Sequence, residues 1–398
     1  MPFWRSASPI SPGFRACLRY VVSMKIVDVQ CHCYRLPFIH SFGTAHSIMT
    51  AREGIIVHVT TDQGIQGIGE IAPLPAFGGR GLADAFTQLP ALVESLQHKT
   101  LNKALDLVAT EGQAGSSSSS VLCGLEIALL DAFGKANRCV VSTLLAPAGF
   151  EPRAAVPVNA IIGAKATKAA IEIAQDARKS GFRCVKLKVG LGSSIQEEIE
   201  RIALVRDAIG SAMHLRLDAN EAWNLEDAIS ILSRCIPVDI QYIEQPLEAH
   251  DLAGMRALRQ AVPIPIAADE AVHSLESARQ VLDSEAADIL VIKPQLAGGL
   301  CVGQQIIQAA AERGVHSVIT STIEAGIGLV AALHLAAASP DITLECGLAT
   351  LHLLVDDLLI DDVPVRDGFM KVPAGPGLGV ALDWEALDRY CAGSVNYP

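Results

Sequence analysis

The spacing of apolar positions along this chain changes twice, and each change marks a different architecture. Residues 25–36 and 54–61 alternate apolar and polar side chains, as half-exposed strands do, and DQG at 62–64 supplies a turn. GIQGIGEIAPLP follows and enters a Gly/Pro-rich loop through 78–81. Helical periodicity then covers 83–97 and 121–136, and the serines at 116–120 form an exposed loop and cap before the second helix. The opening portion therefore predicts a small antiparallel sheet followed by helices, an α+β unit.

From residue 156 the pattern becomes strict alternation of strand and helix. Short apolar strands are predicted at 156–162, 184–189, 214–220, 239–245, 265–270, 288–294, 317–322 and 342–347. In the intervening helix EEIERIALVRDAIG, Ile199, Ile202, Leu204 and Val205 are read as one apolar face. Eight strands linked by helices close into a β/α barrel. After residue 350 the alternation breaks, and LLVDDLLIDDVPVRDGFMKVPAGPGLGV reads as a β-ribbon that packs back on the opening unit. Its acidic pairs, Asp356–Asp357 and Asp361–Asp362, lack other ligand types nearby and read as a solvated loop rather than a metal site.

Composition narrows the picture. Half of the 398 residues are hydrophobic and few are aromatic, the make-up of a large aliphatic core around parallel strands buried on both faces. With 31 Lys and Arg against 43 Asp and Glu the net charge is −12, which disfavours nucleic acid as a partner. No apolar run is long enough to span a membrane. Ten cysteines are scattered without a CxxC pair, as free thiols in a reducing, cytoplasmic compartment are. Residues 1–23, with three arginines and three prolines, make a poor signal peptide and read as a disordered extension before Met24. A homo-oligomer is compatible with the composition, which does not decide it.

The chemistry lies at the ends of the apolar runs. Asp218 in LRLDAN, Glu244 in QYIEQP, Asp269 in IAADE and Lys293 in VIKPQ follow one another at steps of about 25 residues, the length of one strand plus one helix. Three carboxylates from neighbouring strands of a barrel reach one point, and hard oxygen ligands favour Mg²⁺, with Mn²⁺ an alternative. Lys186 and Lys188 in VKLKVG are two apart on a strand and point to one face. Burying two ammonium groups side by side disfavours their charges, which is how a lysine becomes a general base. Lys293 arrives from across the barrel, so a small carboxylate substrate fits between Lys188 and Lys293. The implied reaction is removal of a proton α to a carboxylate. Asn220, Ser321 and Glu324 are candidate substrate contacts, a helix-start cap being the other account of the last two. His40, His46 and His273 fall outside the strand ends and read as loop or surface residues. The GxG pairs at Gly67–Gly69 and Gly326–Gly328 lack the strand–GxGxxG–helix context of a nucleotide site.

In this order KLKVG, LDAN, IEQP, ADE and VIKPQLAGG resemble the enolase superfamily in its muconate lactonizing enzyme subgroup. The resemblance implies a (β/α)7β TIM-like barrel over 151–350 and an α+β capping domain from 24–150, which the tail at 351–398 rejoins. Within the subgroup, GEIAPLPAFGG at 69–79, ITSTIEAGIGL at 319–329 and GLATLHLLVDDLL at 347–359 look like o-succinylbenzoate synthase. That family dehydrates a cyclohexadiene carboxylate in menaquinone biosynthesis. Carried over, the resemblance makes Lys188 the acid/base, sets Lys293 against the enediolate from the other face, and gives Mg²⁺ to Asp218, Glu244 and Asp269. Related members racemise N-acylamino acids or epimerise dipeptides with the same lysines. The Asp-x-Asp element usual in dipeptide epimerases is missing from ITLECGLAT. A catalytically silent scaffold is the third reading, opposed by the intact set of costly buried charges.

Overall fold

A computed structural model describes residues 23–43, 48–75, 81–114, 118–192 and 194–397. The expected extension over residues 1–22, His46 and the AFGG end of the GEIAPLPAFGG motif lie outside the described residues. The chain opens with strands β1 (Ile26–Gly43), β2 (Ile48–Thr61) and β3 (Gln66–Ile71), longer than the alternation alone indicated. Helices α1 (Leu82–Leu96), α2 (Leu101–Ala114), α3 (Ser119–Asn137) and α4 (Val141–Leu145) follow, of which α2 and α4 were not anticipated. The strands form an antiparallel sheet in the order β14–β1–β2–β3, where β14 (Cys391–Tyr397) is the end of the tail returning to pair with β1.

The GxG at Gly67–Gly69 finds its explanation here. A Cβ on Gly67 would run into the carbonyl of Ala128, and one on Gly69 into that of Gly124. Strand β3 therefore lies directly against α3, at a backbone separation that only glycine permits.

The barrel is built on seven parallel strands: β5 (Ala160–Ile162), β6 (Cys184–Lys188), β7 (His214–Asp218), β8 (Ile240–Glu244), β9 (Ile266–Ala268), β10 (Ile289–Ile292) and β11 (His316–Ile319). The predicted first strand over 156–162 is divided. Its opening residues form β4 (Ala155–Pro157), which joins an outer antiparallel sheet with β12 (Val365–Arg366) and β13 (Phe369–Lys371). The predicted eighth strand at 342–347 is reduced to two bridging residues, yet these close the ring. Cys346 N donates to Pro157 O and Asn159 N to Cys346 O, while Gly347 N donates to Ile319 O and Ser321 N to Gly347 O.

Around the barrel run α5 (Thr167–Lys179), α6 (Ile195–Ile209), α7 (Leu225–Cys235), α8 (Leu252–Ala261), α9 (Leu275–Asp283), the single turn α10 (Pro294–Ala297), α11 (Leu300–Ala311) and α12 (Gly326–Ala338). In α6 the buried face is Ile202, Val205 and Ile209, three to four apart, with Ile199 at its margin. Leu204 is exposed, a correction to the expected face, because position 204 lies about 100° from 205 on a 3.6-residue helix. Helix α12 is buried along its whole length, without a polar face. Helix α13 (Trp384–Arg389) precedes β14 in the tail.

Inside the barrel an apolar cluster of Tyr242, Ala267, Ile289, Val291 and Val318 fills one side. Arg216 fills the other. Fully buried, it stacks over Tyr242 and donates to Gln241, Asn159 and both the carbonyl and carboxylate of Glu345.

Candidate active site

Pairing in register sets the first row of the site. Lys188 lies opposite Asp218 on the next strand, and Asp218 opposite Glu244 on the one after. Alternation places Lys186, Arg216 and Tyr242 in the row beneath. Strand β9 ends at Ala268, so Asp269 reaches the site from the turn beyond it. Lys293 stands at the end of β10, held extended at φ −108° and ψ 106° ahead of Pro294. The six residues named from the sequence thus converge on one barrel end.

Their contacts are ion pairs. Lys186 Nζ donates to Glu244 Oε1 at 2.7 Å and lies 3.1 Å from Asp218 Oδ2. Lys188 Nζ donates to Asp218 Oδ2 and to Asn220 Oδ1, each at 2.6 Å. Lys293 Nζ reaches both oxygens of Asp269 at 2.6 Å. Burial opposes the charge on Lys186, but Glu244 and Asp218 overcome it and hold its pKa well above the ordinary lysine range. The expectation that crowding lowers a lysine pKa is therefore corrected at Lys186, where carboxylates outnumber ammonium neighbours. Lys293 is raised as well, since Asp269 outweighs its burial. Burial also works against the Asp218 carboxylate, yet Lys188 and Lys186 keep it below its usual range. Burial pushes Glu244 up, and the charge on Asp218 adds to it.

Among the described residues no group of three or more His, Cys, Asp and Glu is arranged to close on a metal ion as it stands. The donor set nevertheless fits a hard divalent cation. Asp218, Glu244 and Asp269 are all buried, and Glu244 Oε2 is left without a hydrogen-bond partner. A buried, unpaired carboxylate oxygen is costly unless something positive meets it.

The substrate candidates sit differently. Asn220 is bound to Lys188 through Oδ1 and to Glu270 Oε1 through Nδ2, at 2.8 Å. Ser321 Oγ shares a hydrogen bond with Thr350 Oγ1 at 2.9 Å. Glu324 is buried and accepts from the backbone N and the hydroxyl of Thr322, so it folds into its own turn. His40 and His273 are exposed. Of the acidic pairs in the tail, Asp357 Oδ1 caps α12 by accepting from Gly326 N, and Asp356 pairs with Arg389. All nine described cysteines are free.

Sequence reasoning missed two groups. Glu270, beside Asp269, is pushed up to about 7 by burial and by that neighbour's charge. Glu70, in the GEIAPLP segment, crosses from β3 to the barrel. It accepts from Tyr34 Oη at 2.5 Å and from Ala325 N and Gly328 N at 2.8 Å. Gln295, two residues past Lys293, clasps the same segment, donating to Glu70 O and accepting from Ala72 N. The second GxG belongs to this joint, because a Cβ on Gly328 would press on Glu324, Glu70 and Gln295.

Residues 169–386 match the family described as Enolase C-terminal domain-like. The chain belongs to the enolase superfamily. Within that superfamily it falls in the muconate lactonizing enzyme subgroup. Residues 26–131 of this enolase-superfamily chain match MenC, N-terminal domain. It is 29% identical over 368 residues to the L-Ala-D/L-Glu epimerase of Bacillus subtilis, covering 90% of this chain and 97% of the relative. It is 36% identical over 221 residues to the o-succinylbenzoate synthase of Thermobifida fusca, covering 55% of this chain and 67% of the relative. The muconate lactonizing enzyme of Pseudomonas fluorescens, solved with muconolactone, superposes with a TM-score of 0.86 at 27% identity, covering 93% and 100% of the two chains. No helix among the described residues is long and apolar enough to cross a membrane.

Proposed function

We propose that the protein is a Mg²⁺-dependent o-succinylbenzoate synthase, a lyase that dehydrates 2-succinyl-6-hydroxy-2,4-cyclohexadiene-1-carboxylate in menaquinone biosynthesis in the cytoplasm. The observation that carries this reading is the MenC match over residues 26–131, a segment whose Glu70 is bound by Gln295, two residues past Lys293, and by Gly328. The 36% identity to a synthase points the same way.

Lys188 and Lys293 face the reacting carbon from opposite sides. Lys188 takes the proton α to the carboxylate, then returns it to the departing hydroxyl, so that water leaves from the face on which the proton was removed. Lys293, from the other side, sets a fixed positive charge against the electron-rich carboxylate. Asp218, Glu244 and Asp269 would hold Mg²⁺, which supplies the charge needed to stabilise a doubly negative carboxylate. Lys186 balances the charge of Asp218 and Glu244 from beneath.

Racemisation of N-acylamino acids or epimerisation of dipeptides is the competing reading. It draws on the epimerase and on an N-succinyl-L-Arg/Lys racemase from Bacillus cereus, 26% identical over 373 residues. Against epimerisation, the only acid in ITLECGLAT is Glu345, which is committed to Arg216 and His214 at the far end of the barrel. An assay of purified protein with Mg²⁺ and the cyclohexadiene carboxylate, with N-succinylamino acids and dipeptides alongside, separates these readings. Dehydration without racemisation is expected. Racemisation or epimerisation alone overturns the synthase reading, and silence on every substrate returns the scaffold.

A further inference from the structure

Glu270 is the fourth carboxylate at this barrel end, beside the three assigned to the metal and the two lysines assigned to the reaction. We propose that Glu270 is a positioning residue that aims Lys188 through Asn220. The inference rests on the reading of Lys188 as the base.

A carboxylate only accepts hydrogen bonds, whereas an amide has a donor end and an acceptor end. With Nδ2 of Asn220 given to Glu270 Oε1 at 2.8 Å, the acceptor end must turn the other way, and Oδ1 meets Lys188 Nζ at 2.6 Å. The opposite orientation would set amide N–H groups against an ammonium and leave Glu270 facing an oxygen. The backbone of Asn220 is fixed too. It sits at φ +42°, and its N–H donates to Asp218 Oδ1 at 3.1 Å.

Lys188 is thus gripped by two acceptors, Asn220 Oδ1 and Asp218 Oδ2. A neutral lysine amine has two N–H bonds and one lone pair. When both acceptors take an N–H, the lone pair is left pointing away from them, the side from which a substrate proton has to come. Take away Glu270, and the amide of Asn220 is free to turn its N–H groups to the amine. One of the two grips is then lost, along with the direction of the lone pair.

The other account of Glu270 is a metal ligand, since it adjoins Asp269 and its Oε2 is buried without a partner. Two full-length variants loaded with Mg²⁺ decide between them, Glu270→Leu and Glu270→Gln. Gln keeps an oxygen that accepts from Asn220, whereas Leu does not. With the cyclohexadiene carboxylate as substrate, Glu270→Leu is expected to lower kcat by about a hundredfold, with KM within about threefold, and Glu270→Gln to recover at least about tenfold of that loss. Mg²⁺ affinity measured by calorimetry falls by about tenfold at most in both, the low end of what losing an outer-shell partner costs. A crystal structure of Glu270→Leu shows Lys188 Nζ withdrawn from Asn220 Oδ1. Mg²⁺ affinity falling in step with kcat would make Glu270 a ligand and overturn the proposal. So would an unmoved Lys188–Asn220 contact in the Leu variant. If the wild-type protein turned over none of the carboxylates, the reading of Lys188 as base would fall, while the crystal structure would still decide what Glu270 positions.

Discussion

Lys186 and Lys188 are separated by one residue and do different work. Lys188 stands in the top row, partly open, whereas Lys186 is buried between Glu244 and Asp218. Removing it leaves the buried Glu244 without a counter-charge beside Asp218, which keeps only Lys188. Breaking a buried pair in this way costs about 3–5 kcal/mol. Lys186→Met is therefore expected to lower the Tm of the metal-free protein steeply, and Mg²⁺ to restore much of the loss. A calorimetric scan with and without Mg²⁺ checks this, and an unchanged Tm without metal would show that Lys186 carries no such charge balance. Glu244→Gln tests the metal from the other side. A cation at 100 times its Kd stabilises by about 2.7 kcal/mol, and that rise in Tm should vanish in the variant if Glu244 is a ligand. At this scale the sequence was informative because Asp218, Glu244 and Lys293 each close an apolar run, and a charge there faces the barrel mouth. Glu270 escaped notice for a physical reason. Alternation points the residue after Asp269 away from the site, but β9 has already ended at Ala268, and in a turn the rule of two no longer holds.

The element whose placement matters most is α12. It is buried on every side and apolar but for His334, so no amphipathic stripe indicates how it sits. Its N-terminus is fixed instead by two carboxylates from outside the barrel helices. Glu70 accepts from Ala325 N and Gly328 N, and Asp357 from Gly326 N. Burial drives Glu70 up to about 7, against the hydrogen bond from Tyr34, and the charge of Glu324 adds to the rise. The folded value lies above the 4.5 of an ordinary glutamate, so the folded state holds a proton that the unfolded chain releases. The stability linked to Glu70 is thus full below about pH 4.5 and lost as pH rises through about 7, by about 3 kcal/mol in all. Glu70→Gln should flatten the fall in unfolding free energy between these limits, at the cost of one backbone N–H losing its acceptor. Urea melts at pH 5, 6, 7 and 8 measure the slope, and the same slope in wild type and variant would place its origin elsewhere. GEIAPLP was legible in the sequence as a stretch that carries the family resemblance and enters a loop. Its glutamate instead joins the cap to the barrel, a role that depends on a partner about 250 residues away and leaves no local pattern.

The cap and the barrel are joined throughout by buried polar contacts of this kind. Glu126 on α3 accepts from Leu300 N and Cys301 N at the start of α11, and Asp131 accepts from the N–H of Leu378 in the tail, whose carbonyl meets His334 Nε2 on α12. Gln295 and Glu70 make the third junction, and β14 brings the chain's end back to β1. Each junction satisfies buried backbone groups, and opening the interface exchanges each of these hydrogen bonds for one to water, at about 0.5–1.5 kcal/mol apiece. A cap that opened or unfolded by itself would pay that cost at several places at once. The protein is therefore expected to unfold as one cooperative unit despite its two architectures. Hydrogen exchange followed by mass spectrometry should give β1–β3 and β7–β8 the same free energy of opening, set by global unfolding. Glu126→Ala should split them, because it strands the amides at the head of α11 and loosens α3 from the barrel. Cap peptides would then exchange faster while the barrel strands keep most of their protection. Cap strands that already exchange far faster than the barrel in the wild type would refute the argument, and would make the cap a separately stable part resting on the site rather than built into it.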